Sequence, residues 1–310
     1  MKALPTTLPQ SQGLAFARTR LGDYVELAKP RVAVLVLFTV AAGCWLAARG
    51  TPSLLTVLHT VLGTTLVVAG ASALNQLLER HTDALMQRTE NRPLPAGRLQ
   101  PVEVLILGMT VGLLGIGYLL CTLPQPLAAL VAAAALVGYV FVYTPLKRVT
   151  TLNTLIGAVP GALPPVIGWT AVTGTIDREV LVLFLILFLW QVPHFLAIAW
   201  IYREDYARAG LQMLPVVDRA GALTGRQMGA YCLTLILVSL LPAVWGLAGP
   251  VYVAGAMLLG GAFLTCTIGF VRTRSIPKAR RVLNASLIYL PLLLALLVVD
   301  AHVVHAMQSF

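Results

Sequence analysis

Long apolar runs alternate with short polar segments along the whole chain. Runs of about 20 mainly apolar residues, the length a helix needs to cross a bilayer, recur nine times, at about 31–48, 53–78, 102–121, 125–144, 152–173, 179–201, 227–247, 250–271 and 281–300. This pattern predicts an all-α polytopic membrane protein with nine transmembrane helices. The count depends most on the very short links at 123–125 and 247–249.

The polar segments differ in charge, which predicts an orientation. Of the 22 Lys and Arg residues, all but Arg49 and Arg178 fall in the first, third, fifth, seventh and ninth polar segments. Because cytoplasmic loops are enriched in Lys and Arg, we expect a cytoplasmic N-terminus and a C-terminus outside. A miscount by one helix would mix the two sets of loops, so this asymmetry supports nine spans independently of hydropathy.

The chain ends lack apolar runs that could span a membrane. Residues 1–24 mix Pro, Gln, Thr, Ser, Gly and Arg, which predicts a flexible cytoplasmic tail rather than a signal peptide. Residues 25–301 form the predicted membrane domain. Residues 302–310, with His302 and His305, form a predicted short external tail.

Composition agrees with the membrane class and excludes others. The chain is 58% hydrophobic and 11% charged, with a mean hydropathy of +0.85, which excludes a soluble or disordered protein. A formal net charge of +10 would suit a nucleic-acid partner, but the cations are divided among loops instead of forming one patch. We therefore predict the lipid bilayer as a partner and no nucleic acid.

Most acidic residues lie on the same predicted side of the membrane as the Lys and Arg residues. Membrane orientation alone requires only the Lys and Arg residues there. At the end of the second run, Asn75, Glu79 and Asp83 are spaced i, i+4, i+8. On a helix they stack along one face, about 6 Å apart. Carboxylate and amide oxygens are ligands for Mg²⁺, and an incomplete set suits an ion that also binds substrate phosphates.

Basic residues and a second mixed cluster frame the same face. The second run is followed by four arginines whose forked guanidinium groups match phosphate, namely Arg80, Arg88, Arg92 and Arg98. Four spans later come Tyr202, Arg203, Glu204, Asp205 and Tyr206. Together the two loops predict a metal–diphosphate site. For each loop taken alone, carboxylates that merely pair with adjacent arginines are the alternative.

Two further positions allow two interpretations each. Tyr143 and Lys147 are spaced to share a helix face, but Pro145 between them is expected to end the helix. The alternative is that Lys147 only marks the cytoplasmic side and extends its side chain to the membrane–water interface. His194, flanked by aromatic residues at membrane depth, could contact a planar substrate, ligate iron or relay a proton. A histidine hydrogen-bonded to a neighbouring helix is the alternative.

Taken in order, these motifs resemble the UbiA-type intramembrane prenyltransferases. The resemblance is carried by residues 75–83, by RPLPAGR at 92–98 and by YTPLKR at 143–148. Residues 190–195, 202–206 and 213–216 resemble the branch of that family that farnesylates heme. The likeness runs from residue 28 to about the ninth span. Each motif alone is unspecific, whereas all of them in this order are specific.

The resemblance implies a nine-helix bundle with a central cavity, open to the membrane and polar at its cytoplasmic mouth, in the bacterial cytoplasmic membrane. It implies farnesyl diphosphate and protoheme IX (heme b) as substrates, heme O as product and Mg²⁺ with the diphosphate. It suggests a heme A synthase or oxidase assembly factors as protein partners. Heme b is a substrate here and not a cofactor.

The resemblance also implies roles for individual residues. Catalytic roles fall on Glu79, Asp83, Lys147 and Asp205, and metal ligation on Asn75, Glu79 and Asp83. Substrate-binding roles fall on Arg80, Arg88, Arg92, Arg98, Tyr143, His194, Tyr202, Arg203 and Tyr206. Where relatives with aromatic substrates carry Asp-x3-Asp, this chain has Tyr202-x3-Tyr206, which leaves the number of Mg²⁺ ions open.

Three other functions are compatible with parts of the pattern. A UbiA-type enzyme acting on a quinone precursor differs only in the acceptor. A secondary transporter also has many helices with intramembrane Gly and Pro, but transporters place ionisable groups near the bilayer midplane, whereas here the acids collect at one face. A structural scaffold for oxidase assembly is the third alternative.

Overall fold

The computed structural model describes residues 19–308 and the side chains up to residue 306. In this part of the chain, nine helical spans are long and apolar enough to cross a membrane, which confirms the predicted number. The elements are α1 (Arg20–Leu27), α2 (Pro30–Ala47), α3 (Leu54–Asp83), α4 (Pro101–Thr122), α5 (Pro126–Val137), a π-helix (Gly138–Tyr143), α6 (Thr144–Leu146), α7 (Asn153–Gly161), α8 (Pro164–Thr173), α9 (Arg178–Ile201), α10 (Arg203–Arg208), α11 (Leu214–Val217), α12 (Ala222–Val238), α13 (Leu241–Val244), α14 (Pro250–Thr273) and α15 (Ile276–Gln308).

Three spans are built from more than one helix. The fourth joins α5, the π-helix and α6, the fifth joins α7 and α8, and the seventh joins α12 and α13. Interruptions of this kind are tolerated inside a membrane protein where neighbouring helices or polar side chains satisfy the backbone. The interruption in the fourth span shapes the site described below.

Parts of both predicted tails are helical. Residues 1–18 of the N-terminal prediction lie outside the described residues, but residues 20–24 belong to α1 and are not a flexible tail. The side chain of Thr19 caps α1 by accepting a hydrogen bond from the Gly22 amide at 3.2 Å. At the other end α15 continues to Gln308, so His302 and His305 lie on a helix. Residues 309–310 are outside the described part.

Glycines allow the closest helix pairs to form. Gly70 of α3 faces Gly108 and Gly112 of α4, and Gly168 of α8 lies against the backbone of Val40 in α2. A Cβ at either Gly70 or Gly168 would overlap backbone atoms of the neighbouring helix. Small residues at helix crossings are typical of membrane bundles, where close van der Waals packing drives association.

The interior is apolar, and the outer faces of the spans are apolar too. The largest fully buried side chains include Trp169, Phe263 and Phe270, whereas Leu258 and Leu114 are 76% and 61% exposed. Exposed leucines on long helices fit a lipid surrounding. The span α9 and the α7–α8 span are the most enclosed. The polar residues concentrate at the end of the bundle that carries residues 84–100, 147–152 and 202–221, which we call the basic end.

Candidate active site

A polar cavity of about 160 Å³ opens at the basic end, between the end of α3, residues 84–100, the π-helix and α10. Its walls combine carboxylates, an amide, four cations, phenols and a few apolar side chains. The lining residues are Lys29, Asn75, Glu79, Asp83, Met86, Arg88, Arg92, Tyr139, Tyr143, Lys147, Tyr206, Leu211 and Met213. The volume is below the roughly 300–1,000 Å³ of pockets for drug-sized ligands, so the cavity suits a compact polar group.

The column of oxygen donors predicted on α3 forms one wall of this cavity. Asn75, Glu79 and Asp83 all line it, as their helical spacing predicted. One oxygen of the fully buried Asp83, Oδ2, accepts a hydrogen bond from Arg92 at 2.7 Å. The other, Oδ1, is buried and has no hydrogen-bond partner among the described residues. A buried carboxylate oxygen without a donor is costly, which indicates a site for a cation.

A short relay of hydrogen bonds orients the Asn75 amide. The Thr144 hydroxyl donates its single proton to the carbonyl oxygen of Tyr139 at 2.9 Å, so its oxygen can only accept. It accepts from Asn75 Nδ2 at 3.0 Å. Oδ1 of Asn75 is thereby directed to Lys29, whose Nζ donates to it at 3.0 Å. The π-helix creates this arrangement, because its wider turn brings the Thr144 hydroxyl back to the carbonyl five residues earlier.

Lys147 faces the cavity in spite of the intervening proline. Pro145 lies within the short α6, and the Lys147 Nζ stands 4.4 Å from the centroid of the Tyr143 ring. The same Nζ donates to Glu79 Oε1 at 2.6 Å. Burial lowers the pKa of Lys147, but the Glu79 carboxylate, together with Tyr143 and Tyr139, outweighs this effect, so the pKa is raised above its usual range. Lys147 is therefore a buried, paired cation and not an interfacial topological one.

Two polar cavity residues are not among the predicted site residues. Lys29, in the left-handed conformation with φ 49°, links α1 to α2 and points its Nζ into the cavity. Burial, reinforced by repulsion from Arg92, lowers the pKa of Lys29 to about 7. Tyr139 lies one turn before Tyr143, its ring centroid 5.6 Å from that of Tyr143. The spacing of these tyrosines and a lysine directly before Pro30 are the sequence signals that could have identified them.

The wall opposite α3 carries a cation held by aromatic rings. The Arg88 guanidinium carbon lies 4.9 Å from the Tyr202 ring centroid and 5.8 Å from that of Tyr206. Its Nη2 also donates to the Tyr206 hydroxyl at 3.3 Å. Arg88 and Tyr206 line the cavity, whereas Tyr202 contacts Arg88 without lining the cavity. The predicted convergence of the two loops is present in this contact.

Several predicted site residues point elsewhere. Arg80 donates to the Leu77 carbonyl of its own helix at 3.0 Å. Arg98 pairs with Asp23 of α1 at 2.8 Å. Neither lines the cavity, so the structure does not bring these two arginines together with the other predicted site residues.

The second cluster contributes fewer residues than expected. Arg203 donates to the Trp200 carbonyl at 3.2 Å and covers the Trp200 ring. Asp205 is paired with Arg208 on the same short helix, away from the cavity. Asp205 thus has the adjacent arginine partner that the alternative describes, and the structure does not bring it to the cavity.

His194 lies inside the bundle and does not line the cavity. Its Nδ1 is 2.7 Å from the Ser286 hydroxyl of α15, and the Trp190 ring stacks on it with centroids 4.9 Å apart. Ser286 gives its own proton to the Leu283 carbonyl at 2.6 Å. The structure therefore shows the alternative interpretation, a histidine hydrogen-bonded to a neighbouring helix.

The donor set on α3 is suited to a hard cation. No group of three or more His, Cys, Asp and Glu side chains that could hold a metal occurs among the described residues. The Asn75 amide supplies the third oxygen beside Glu79 and Asp83. Two carboxylates and an amide, all oxygen, match Mg²⁺ and do not match metals that prefer imidazole or thiolate.

Comparisons with known proteins agree with the motifs. The model of the UbiA prenyltransferase family matches residues 36–296. A protoheme IX farnesyltransferase of Solibacter usitatus is 46% identical over 287 residues, which cover 90% of this chain and 98% of the relative. The one of Salinibacter ruber is 47% identical over 283 residues, 90% of this chain and 99% of the relative.

Solved structures show the same fold at low sequence identity. A structure described for digeranylgeranylglyceryl phosphate synthase has a TM-score of 0.76 at 17% identity and covers 91% of this chain and 99% of its own. A UbiA homolog from Archaeoglobus fulgidus bound to GPP and Mg²⁺ has a TM-score of 0.65 at 16% identity, with 92% and 99% covered. These likenesses concern the arrangement of the helices.

Proposed function

Because the chain belongs to the UbiA prenyltransferase family, we propose that its cavity binds the diphosphate of farnesyl diphosphate and that the enzyme farnesylates protoheme IX. The products are heme O and diphosphate. The named activity of relatives at 46% and 47% identity supports the substrates. The chain is thus an enzyme and not the secondary transporter that its helix number also allowed.

The charge of the cavity is the observation that carries the diphosphate assignment. Four basic side chains, Lys29, Arg88, Arg92 and Lys147, face two carboxylates. Because the pKa of Lys29 is lowered to about 7, the lining has an excess of between one and two positive charges near neutral pH. A diphosphate is a polyanion, and arginine forks match phosphate oxygens. In a partly enclosed site such fixed charges stabilise the negative charge that develops on a leaving group.

The three oxygen donors of α3 would hold Mg²⁺. Asp83 presents its unpartnered Oδ1, and the Thr144 relay directs the Asn75 oxygen into the same cavity. When bound, the ion neutralises diphosphate oxygens and favours their departure. Mg²⁺ in the structure of the Archaeoglobus fulgidus homolog supports this assignment.

The reaction follows from charge and solvent control. The bond between the first farnesyl carbon and the diphosphate oxygen breaks, both electrons stay on the oxygen, and an allylic cation forms. A heme vinyl carbon attacks this cation and makes the new carbon–carbon bond. Water then adds to the resulting heme-side cation and loses a proton, which leaves a hydroxyl group. Met86, Leu211 and Met213 form an apolar edge that would keep water from the first cation.

Location and partners complete the proposal. The mouth of the cavity faces the cytoplasm and the C-terminus lies outside, because the basic end carries most of the Lys and Arg residues. The membrane is the bacterial cytoplasmic membrane. The product would pass to a heme A synthase or to oxidase assembly factors.

Heme analysis in membranes tests the function. Membranes containing the enzyme are incubated with farnesyl diphosphate and heme b, and the mass of the extracted heme is measured by mass spectrometry. We expect a mass gain of one farnesyl group plus one hydroxyl. Asp83→Asn should lower this product about 100-fold or more, while Glu90→Gln, at an exposed carboxylate of the same loop, should not change it. Undiminished heme O with Asp83→Asn would refute the metal assignment, and prenylation of a quinone precursor instead of heme would refute the acceptor.

A further inference from the structure

The geometry points to a site with a single metal ion, in which the guanidinium of Arg88, clamped between Tyr202 and Tyr206, takes the place of a second ion. This inference rests on the proposed binding of a diphosphate in the cavity. It goes beyond that proposal because it specifies how the positive charge is divided between the two walls.

The two walls of the cavity differ in what they can hold. The α3 wall has three oxygen donors, one of them the buried and unpartnered Oδ1 of Asp83. On the α10 wall the only lining oxygen, within the described residues, is the Tyr206 hydroxyl, which already accepts from Arg88 at 3.3 Å. A protonated phenol is a poor substitute for the carboxylates and carbonyls that bind Mg²⁺. The α10 wall therefore lacks a metal site.

The two carboxylates of α10 do not supply the metal ligands that this wall lacks. Asp205 is paired with Arg208 and does not line the cavity. Glu204, its neighbour in α10, is exposed and also outside the lining. A metal ion between α10 and the cavity would have to displace the Asp205–Arg208 pair and approach the Arg88 guanidinium, which repels it.

The clamp gives Arg88 a defined position although its side chain is exposed. Its guanidinium carbon is 4.9 Å from the Tyr202 centroid and 5.8 Å from that of Tyr206, within the range of cation–π attraction. The Tyr206 hydroxyl adds one hydrogen bond on the edge of the group. The remaining guanidinium protons are available to the cavity that Arg88 lines. A permanently charged fork so placed can bind two diphosphate oxygens.

Metal counting tests the single-ion site directly. The purified full-length enzyme in detergent is titrated with Mn²⁺ in the presence of a non-hydrolysable farnesyl thiodiphosphate, and bound Mn²⁺ is counted by electron paramagnetic resonance. We expect one Mn²⁺ per chain with the spectrum of an isolated ion. Two bound ions with an exchange-coupled spectrum would overturn the inference and leave the proposed function intact. Failure of the thiodiphosphate to bind at all would overturn both.

Variants of the clamp separate its cation from its rings. Arg88→Ala should weaken thiodiphosphate binding about tenfold or more and leave the binding of Mn²⁺ alone unchanged. Tyr202→Phe keeps the ring and should match the parent, whereas Tyr202→Leu should weaken thiodiphosphate binding. Equal loss in Tyr202→Phe and Tyr202→Leu, or a parallel loss of Mn²⁺ affinity in Arg88→Ala, would overturn the clamp. Thermal unfolding of each variant establishes that it is folded.

Discussion

Replacing either partner of the Glu79–Lys147 ion pair should destabilise the protein. The double replacement should cost less unfolding free energy than the sum of the two single replacements. The side chains are 13% and 14% exposed, and their charged atoms are 2.6 Å apart. Glu79→Gln leaves the Lys147 ammonium near other cations without its carboxylate partner. Lys147→Gln leaves the Glu79 carboxylate largely buried without its ammonium partner. The double variant removes both charges together.

The expected size follows from distance and burial. Two unit charges 2.6 Å apart attract each other by about 6 kcal/mol at an effective dielectric constant of about 20. Desolvation of the two groups offsets most of this attraction, whereas loss of one partner from a buried pair costs about 3–5 kcal/mol. We therefore expect each single variant to lose about 3 kcal/mol and a coupling free energy of about 2–3 kcal/mol between them.

The assay is reversible unfolding of the purified protein in mixed detergent micelles, applied to the parent, both single variants and the double variant. The surface pair Arg20–Glu103 is the control, because it has nearly the same distance, 2.7 Å, with side chains 68% and 36% exposed. Its coupling should be far smaller, since water screens exposed pairs. Additive single effects at Glu79 and Lys147 would refute the buried-pair argument.

Three further outcomes follow from the same contacts. Thr144→Val should lower activity and raise the Mg²⁺ concentration for half-maximal rate several-fold, because the Asn75 amide loses the acceptor that orients it. Thr144→Ser keeps the hydroxyl and should leave both values close to those of the parent. Equal effects of the two substitutions would contradict the relay. Gly168→Ala should cost about 1–3 kcal/mol of unfolding free energy through overlap with Val40, whereas Gly261→Ala, whose Cβ would have no atom within 4 Å beyond the adjacent backbone of its own helix, should be close to neutral. Chelation of divalent ions should abolish heme O formation, with recovery on Mg²⁺ addition, and turnover in excess chelator would contradict the metal site.

Much of the fold and one wall of the site could be predicted from local pattern. Apolar runs set the number of spans, because every backbone group in lipid must be satisfied within a helix. The i, i+4, i+8 spacing of Asn75, Glu79 and Asp83 placed three donors on one face, and the structure has all three in the cavity. These predictions needed only the period of a helix.

The directions of the arginine side chains could not be predicted from the local sequence. Arg88, Arg92 and Arg98 follow one another in the same segment, yet Arg88 and Arg92 line the cavity and Arg98 does not. Arg98 is turned away by Asp23, a residue 75 positions earlier whose helix was predicted to be a flexible tail. A loop side chain takes the direction of its partner, and the sequence near it does not specify that partner.

The membrane class, the nine spans, the helix face that carries the donors and the family motifs can all be read from the amino-acid sequence, since each depends on residues close together in the chain. Which cations enter the cavity depends on how the helices pack. Lys29 reaches Asn75 across 46 positions and Lys147 reaches Glu79 across 68, and the π-helix that orients Asn75 was not visible in the hydropathy. Opposite charges and hydrogen-bond donors find each other in three dimensions after the helices have packed, so the active site depends on contacts that no local pattern contains.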